Sequence, residues 1–262
     1  MEPLRAIELP EAVRAWLPPE PAFALPEQGT SAWVGFVADA PLVLKRMRGV
    51  LESSVAEWEY RALTELAASG LPIPTAIGLH VRQHEGEREA WLCVSRLPGE
   101  SLQQRLRCEP DVEVRLRWYA AVGEIAARIH DTPIPAALRP EDSPTWFDRV
   151  LRRTRRATER VQDLVMRLVR DRPSHAPETL IHGDFTLDNV IVDGDAISGV
   201  IDWGGAGPGD PRYDVTLALG PDGETALEPG AAAAFLRGYC AAPISKPLRR
   251  FVEQTYGVRA AG

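Results

Sequence analysis

The run Leu180-Ile181-His182-Gly183-Asp184-Phe185-Thr186-Leu187-Asp188-Asn189-Val190-Ile191-Val192 places three oxygen-bearing side chains within reach of one another once its continuation is included. That continuation passes through Asp193-Gly194-Asp195 to Gly199-Val200-Ile201-Asp202-Trp203. Two apolar runs around an Asp-Gly turn predict a β-hairpin. Folding it brings Asn189, at the start of one strand, beside Asp202, at the end of the other, with Asp184 on the loop just before. Hard oxygen donors of this kind suit Mg²⁺, which takes one or two carboxylates together with phosphate oxygens. Asp193 and Asp195 are read differently, as turn residues that cap backbone groups.

A cation and a carboxylate upstream stand out by their placement. Only two of the thirty basic residues are lysines, Lys45 and Lys246. Lys45 lies in Pro41-Leu42-Val43-Leu44-Lys45-Arg46-Met47, which reads as a strand. A compact ammonium there can touch a phosphate while pairing with a carboxylate; taken alone, it reads rather as a solvent-facing strand lysine. Residues 52–69 predict a helix whose apolar face carries Val55, Trp58, Ala62, Leu63 and Leu66. Glu59 falls inside that stripe, where an unpaired carboxylate is costly, so its obvious partner is Lys45; a boundary Glu curling out to solvent is the alternative. Glu57, Arg61 and Glu65 fall on the other side as a solvated charge ladder.

The elements that must position these residues follow from the patterning. Residues 7–17 predict a short amphipathic helix ended by Pro18-Pro19. Gln28-Gly29-Thr30-Ser31 is a small-residue turn of the kind whose N–H groups can cradle phosphates, and it feeds a strand to Val37 that pairs antiparallel with 41–47. Strands follow over 75–81 and 91–94, around a charged turn through His84–Glu87, until Leu97-Pro98-Gly99 breaks the sheet pattern. From Asp111 the period is helical, with Val114, Trp118, Val122, Ile125 and Ile129 on one face. A second long helix starts at Ser143-Pro144 and runs to about Arg172; its Arg149, Arg152, Arg153, Arg155, Arg156 and Arg160 read as a solvated face. Strands first and helices afterwards predict an α+β protein with a cleft between two lobes and a boundary near 95–100.

Composition narrows the function classes. At 262 residues, 45% hydrophobic and 26% charged, the chain suits one large domain or two lobes. No apolar run reaches the roughly 18 residues of a membrane span, and Met1-Glu2-Pro3 does not begin a signal peptide. A net charge of −7 speaks against general nucleic-acid binding. Cys93, Cys108 and Cys240, odd in number and without paired spacing, suit a reducing, cytoplasmic setting. His80, His84, His130 and His175 are too scattered for a metal-dependent phosphatase, and no Gly-x-Ser-x-Gly elbow marks a hydrolase.

His182-Gly183-Asp184 with Asn189, followed by Ile201-Asp202-Trp203 and then Gly209-Asp210-Pro211-Arg212-Tyr213-Asp214, resembles the aminoglycoside phosphotransferase family, small-molecule kinases with the protein-kinase-like fold. Lys45, Glu59 with Leu63, and Val94-Ser95-Arg96-Leu97-Pro98-Gly99 fit its nucleotide lysine, helix glutamate and hinge, so that the resemblance covers roughly 25–240. It implies residues 1–94 as a nucleotide-binding lobe with an antiparallel sheet and one helix, 95–100 as a hinge, and 101–262 as a mainly helical lobe for catalysis and acceptor binding. By the same resemblance Asp184 is the catalytic aspartate, Asn189 and Asp202 hold Mg²⁺, and Lys45 braced by Glu59 binds the ATP phosphates. Thr30 and Ser31 approach those phosphates, while the Ser95 carbonyl and the Leu97 N–H meet the adenine edge. The implied partners are ATP and a small hydroxylated acceptor, with an aminoglycoside as first choice and macrolides, choline, homoserine or sugar derivatives behind it. His182 is a packing and hydrogen-bonding residue in this reading, not a base, Asp210 is an N-cap, and Asp210 and Asp214 are supports of the loop. A nucleotide-binding pseudokinase is the other class considered; the complete set of Lys45, Glu59, Asp184, Asn189 and Asp202 argues against it.

Overall fold

The structure is a computed structural model, and it describes residues 9–24, 33–139, 178–219 and 229–239. The chain divides into two compact units, Met1–Gly99 with Ser198–Gly205, and Glu100–Ile197 with Ala206–Gly262. Thr30, Ser31, the expected helix from Ser143 and its six arginines lie outside the described residues.

The first unit is a five-stranded antiparallel sheet with a helix on each face. Its strands are β1 (Phe23–Ala24), β2 (Trp33–Val37), β3 (Leu42–Arg48), β4 (Ala76–His84) and β5 (Glu87–Ser95), in the order β1-β2-β3-β5-β4. Side chains alternate across a strand, so β3 presents Leu44 and Arg46 to one face and Val43, Lys45 and Met47 to the other. On the Leu44 side, Val13, Trp91 and Cys93 close a buried cluster, with Leu9, Trp16, Phe23 and Trp33 packed against it. The Phe23 and Trp33 rings meet edge to face with centroids 5.5 Å apart, an arrangement worth about 1 kcal/mol beyond burial. Burial pushes the Cys93 thiol up to about 11, so this cysteine behaves as a small hydrophobe.

Glu89 lies buried on the same face. It takes Arg46 at 2.5 Å on one oxygen and Arg82 at 2.6 Å on the other. Burial alone would raise its carboxyl, but the hydrogen bonds and charge of Arg82 and Arg46 outweigh it and hold it below the usual range.

Helix α2 (Val50–Leu66) packs on the opposite face, against β3, β4 and β5. Its buried residues are Ser53, Ala56, Glu59, Ala62, Leu63 and Leu66, whereas Val55 is exposed and Trp58 half-buried. The stripe is therefore rotated from the expected one. Small residues at 53 and 56 let the start of α2 close onto β5, where Gly49 N–H donates to Arg88 O at 2.8 Å and the Ser53 hydroxyl to the same oxygen at 3.3 Å. Glu57 also turns to β5, pairing with Arg88 at 2.7 Å instead of Arg61, whose guanidinium lies over the Trp58 ring.

One further expectation is corrected. Of the helix read over 7–17, the described residues form a single α-helical turn, α1 (Glu11–Arg14), which starts after Pro10 and gives way to i→i+3 turns at Trp16 and Leu17. The expected pairing of the strand ending at Val37 with 41–47 is present, β2 and β3 running antiparallel on either side of a turn at Ala38–Pro41. β4 and β5 are longer than expected and meet at Glu85-Gly86.

In the second unit β6 (Glu100–Ser101) pairs with β8 (Val190–Asp193), and β7 (Thr179–Ile181) pairs with β10 (Gly207–Gly209). β9 (Ala196–Val200) follows β8 through Gly194-Asp195, as the Asp-Gly turn predicts, and its residues from Ser198 count with the first unit. The described helices are α3 (Leu102–Cys108), α4 (Val112–Asp131), α5 (Pro211–Ala218) and α6 (Ala231–Tyr239). Asp111 caps α4 by accepting from Glu113 N–H at 2.8 Å, and Trp118, Val122, Ile125 and Ile129 are buried along its expected face. Among the described residues no helix is long and apolar enough to cross a membrane.

Candidate active site

The candidate residues fall into two clusters, one in each unit. In the first unit β3 and α2 bring Lys45 and Glu59 together, with the ammonium 2.7 Å from Glu59 Oε1. Both are buried, at 8% and 3% exposure. Lys45 also forms a short ion pair with Asp202, whose side chain is 45% exposed. Burial by itself would lower the lysine, but the charges and hydrogen bonds of Asp202 and Glu59 outweigh it and hold the ammonium above the ordinary lysine range. Lys45 is thus a charged buried donor between an enclosed carboxylate and an open one.

Asp202 has φ of +65°, a left-handed conformation uncommon for a residue with a side chain. The turn Trp203–Gly205 that follows packs on α2, and Trp203, fully buried, donates its indole N–H to Val200 O at 2.8 Å. These contacts hold the strained residue in place. Ser95 ends β5, with its N–H on Thr75 O at 2.9 Å and its hydroxyl taking Thr75 N–H at 2.8 Å. Arg96 N–H is used by Pro41 O, whereas Leu97 N–H is unpaired among the described residues.

In the second unit Asp184 lies on the loop after β7. Gly183 before it has φ of +80°, which only glycine adopts freely. The loop is held from behind by Asp214 on α5. Its Oδ2 accepts His182 N–H at 2.6 Å, its Oδ1 accepts Gly183 N–H at 2.9 Å, and the carboxylate is fully buried. Asp210 caps α5 by accepting Arg212 N–H at 3.0 Å, with Pro211 in the first turn, which fixes where Asp214 stands. His182 is buried, and its Nδ1 accepts Asp184 N–H at 3.3 Å.

Asn189 is tied to Asp184. Its Nδ2 donates to the Asp184 carbonyl at 2.8 Å and to Asp184 Oδ2 at 3.2 Å. With the amide nitrogen so engaged, Asn189 Oδ1 is turned away as an oxygen donor. Taken each by itself, the Asn189 amide oxygen in the second unit and the open Asp202 carboxylate in the first are hard oxygen donors of the kind Mg²⁺ takes.

The sequence did not reveal His130 near the end of α4, or Tyr239 at the end of α6, as neighbours of this loop. His130 Nε2 lies 3.3 Å from Asp214 Oδ2, and its Nδ1 lies 2.6 Å from Tyr239 Oη. No spacing signal could have linked residues so far apart in the chain.

The family described as the phosphotransferase enzyme family matches this chain over residues 23–252. The chain belongs to that family. Among curated proteins it is 26% identical to an aminoglycoside 3'-phosphotransferase of Streptomyces fradiae, over 77% of this chain and 76% of that protein. It is 28% identical to a homoserine kinase of Pseudomonas aeruginosa, over 68% of this chain and 58% of that one. A mouse protein, acyl-CoA dehydrogenase family member 10, is 29% identical over 70% of this chain but only 18% of its own length. The chain therefore spans less than two thirds of two of these three relatives. Among solved structures, an aminoglycoside-3'-phosphotransferase of type VIII superposes with a TM-score of 0.72 at 24% identity, over 95% of this chain and 98% of that one. A thermostable mutant of another aminoglycoside phosphotransferase, in ternary complex with ADP and hygromycin B, gives 0.64 at 18% identity over 90% and 84%. The fold is the α+β, kinase-like fold of these phosphotransferases.

Proposed function

We propose that this protein transfers the γ-phosphoryl group of ATP to a hydroxyl of a small molecule, with an aminoglycoside as the preferred acceptor. The observation that carries the reading is the buried Lys45, charged and held between Glu59 and Asp202. A lone ammonium at a sheet–helix interface is costly, and two carboxylates orient it as a donor for the α- and β-phosphates. Thr30 and Ser31 would approach the phosphates, and Leu97 N–H with the Ser95 carbonyl would read the adenine edge. Asn189 and Asp202 would hold Mg²⁺. When bound, that ion neutralises charge on the phosphate oxygens.

Asp184 would orient the acceptor hydroxyl and accept its proton as the new oxygen–phosphorus bond forms. The bond from the γ-phosphorus to its bridging oxygen breaks, and the electron pair leaves with ADP. Asn189, by gripping both the carbonyl and the carboxylate of Asp184, limits that side chain to one orientation. The cytosolic setting read from the cysteines accords with an ATP-dependent enzyme, and an aminoglycoside kinase would confer antibiotic resistance.

The relatives named homoserine kinase support a second acceptor class, a small amino-acid alcohol. The test is ADP release from purified protein with MgATP against aminoglycosides, homoserine, choline, macrolides and sugars. A polycationic acceptor should be used best at low ionic strength and lose affinity as salt screens the site. Turnover of homoserine with none of any aminoglycoside would reject the antibiotic and retain the kinase.

A further inference from the structure

The grip of Asp214 on the catalytic loop is itself supported by a chain of two side chains. A carboxylate only accepts hydrogen bonds, and Asp214 already accepts from the His182 and Gly183 amides. His130 Nε2, at 3.3 Å from Asp214 Oδ2, must therefore carry the hydrogen that makes this contact a bond. In the neutral ring Nδ1 is then an acceptor, and the group facing it at 2.6 Å is the Tyr239 hydroxyl. Burial, then the charges of Asp214, Asp131 and Asp210, push the Tyr239 phenol up to about 12, so it keeps its proton in the neutral range.

The placement of Tyr239 is built into the helix packing. A Cβ on Gly123 would run into the Phe235 carbonyl, and one on Gly238 into the Ala120 carbonyl, so α4 and α6 meet backbone to backbone through these glycines. The Tyr239 ring then stands edge-on to His130 at 5.4 Å and stacks on Phe235 at 6.0 Å.

From this geometry we infer that Tyr239, acting through His130, is a positioning residue for the catalytic loop. Its hydroxyl selects the His130 tautomer and orientation that donate to Asp214, and Asp214 fixes the His182 and Gly183 amides ahead of Asp184. The seat of α6 on α4 is thereby transmitted to the reacting end of the loop. The catalytic part of this inference rests on the proposed phosphotransfer; the structural part does not.

The test is amide hydrogen exchange at His182 and Gly183 in the full chain, with steady-state kinetics alongside. Tyr239→Phe keeps the ring contacts and removes only the hydroxyl. It should speed exchange at these two amides about five- to tenfold, the value of one hydrogen bond, and lower kcat by a similar factor with the KM for nucleotide unchanged. His130→Gln retains an N–H near the Nε2 position that no longer depends on a tautomer. Adding Tyr239→Phe to His130→Gln should therefore cause no further rise in exchange. Unchanged exchange in Tyr239→Phe overturns the inference. So does an equal rise in both backgrounds, because it would mean that the phenol acts through packing alone. If the wild-type protein transfers no phosphate, the exchange arms still decide the inference, and only the function is rejected.

Discussion

Removing Lys45 and Glu59 singly and together should expose an interaction that can be lost only once. Lys45→Met leaves Glu59 as a carboxylate at 3% exposure without its cation, and breaking a buried pair in this way costs about 3–5 kcal/mol. Glu59→Gln costs less, about 1–3 kcal/mol, because Lys45 retains Asp202. At the 2.7 Å separation the gross attraction is about 6 kcal/mol for an effective dielectric of 20. Desolvation of two ions returns several kcal/mol of that, leaving a net coupling on the order of 2 kcal/mol. The Asp202 contact is lost in both Lys45 variants and so cancels from the cycle. Urea unfolding of the wild type, both single variants and the double variant gives the four free energies, provided the slopes agree. The sign with pH is fixed by the raised lysine: the contribution is complete below the ordinary lysine value and fades as pH rises through the higher folded value. Single-variant losses that add to within about 0.5 kcal/mol would refute the pairing.

Asp184→Asn should keep the fold and nucleotide binding while lowering transfer by roughly 10²–10⁴-fold; near wild-type turnover with the best acceptor contradicts its role. Asp202→Ala should abolish the Mg²⁺-dependent gain in ATP affinity measured by calorimetry, and equal affinities with and without the ion in both proteins would remove the metal site. Glu89→Gln, on the sheet face that carries Leu44 and Trp91, should cost about 3 kcal/mol by leaving Arg46 and Arg82 without their carboxylate. Because the Glu89 carboxyl is held low, its contribution is present above the ordinary glutamate value and lost as pH falls, so the variant's acid unfolding limb should be shallower than the wild type's.

What could be read from the sequence was whatever periodicity and local turn chemistry specify. Glu59 in an apolar stripe and a scarce lysine on a strand are local anomalies with one economical resolution, and the 2.7 Å contact is that resolution. Asp210 before Pro211 is equally local, a cap that needs no knowledge of the rest of the chain. The exact rotation of α2 was not legible, because Ser53 and Ala56 are buried through their small size and not through hydrophobicity. The first helix gives way to i→i+3 turns after Arg14 although the apolar period runs on to Leu17. The link from Tyr239 through His130 to Asp214 depends on glycine-mediated helix packing between distant segments, which no window of sequence displays.

The most direct test of the central claim is single-turnover transfer from ATP labelled in its γ-phosphoryl group, run with Mg²⁺ and the best acceptor from the panel. The account predicts that the label appears on an acceptor hydroxyl in step with ADP, and that Asp184→Asn binds the same ATP without moving the label. Label found only in free phosphate, or transfer that proceeds unchanged in Asp184→Asn, would contradict it.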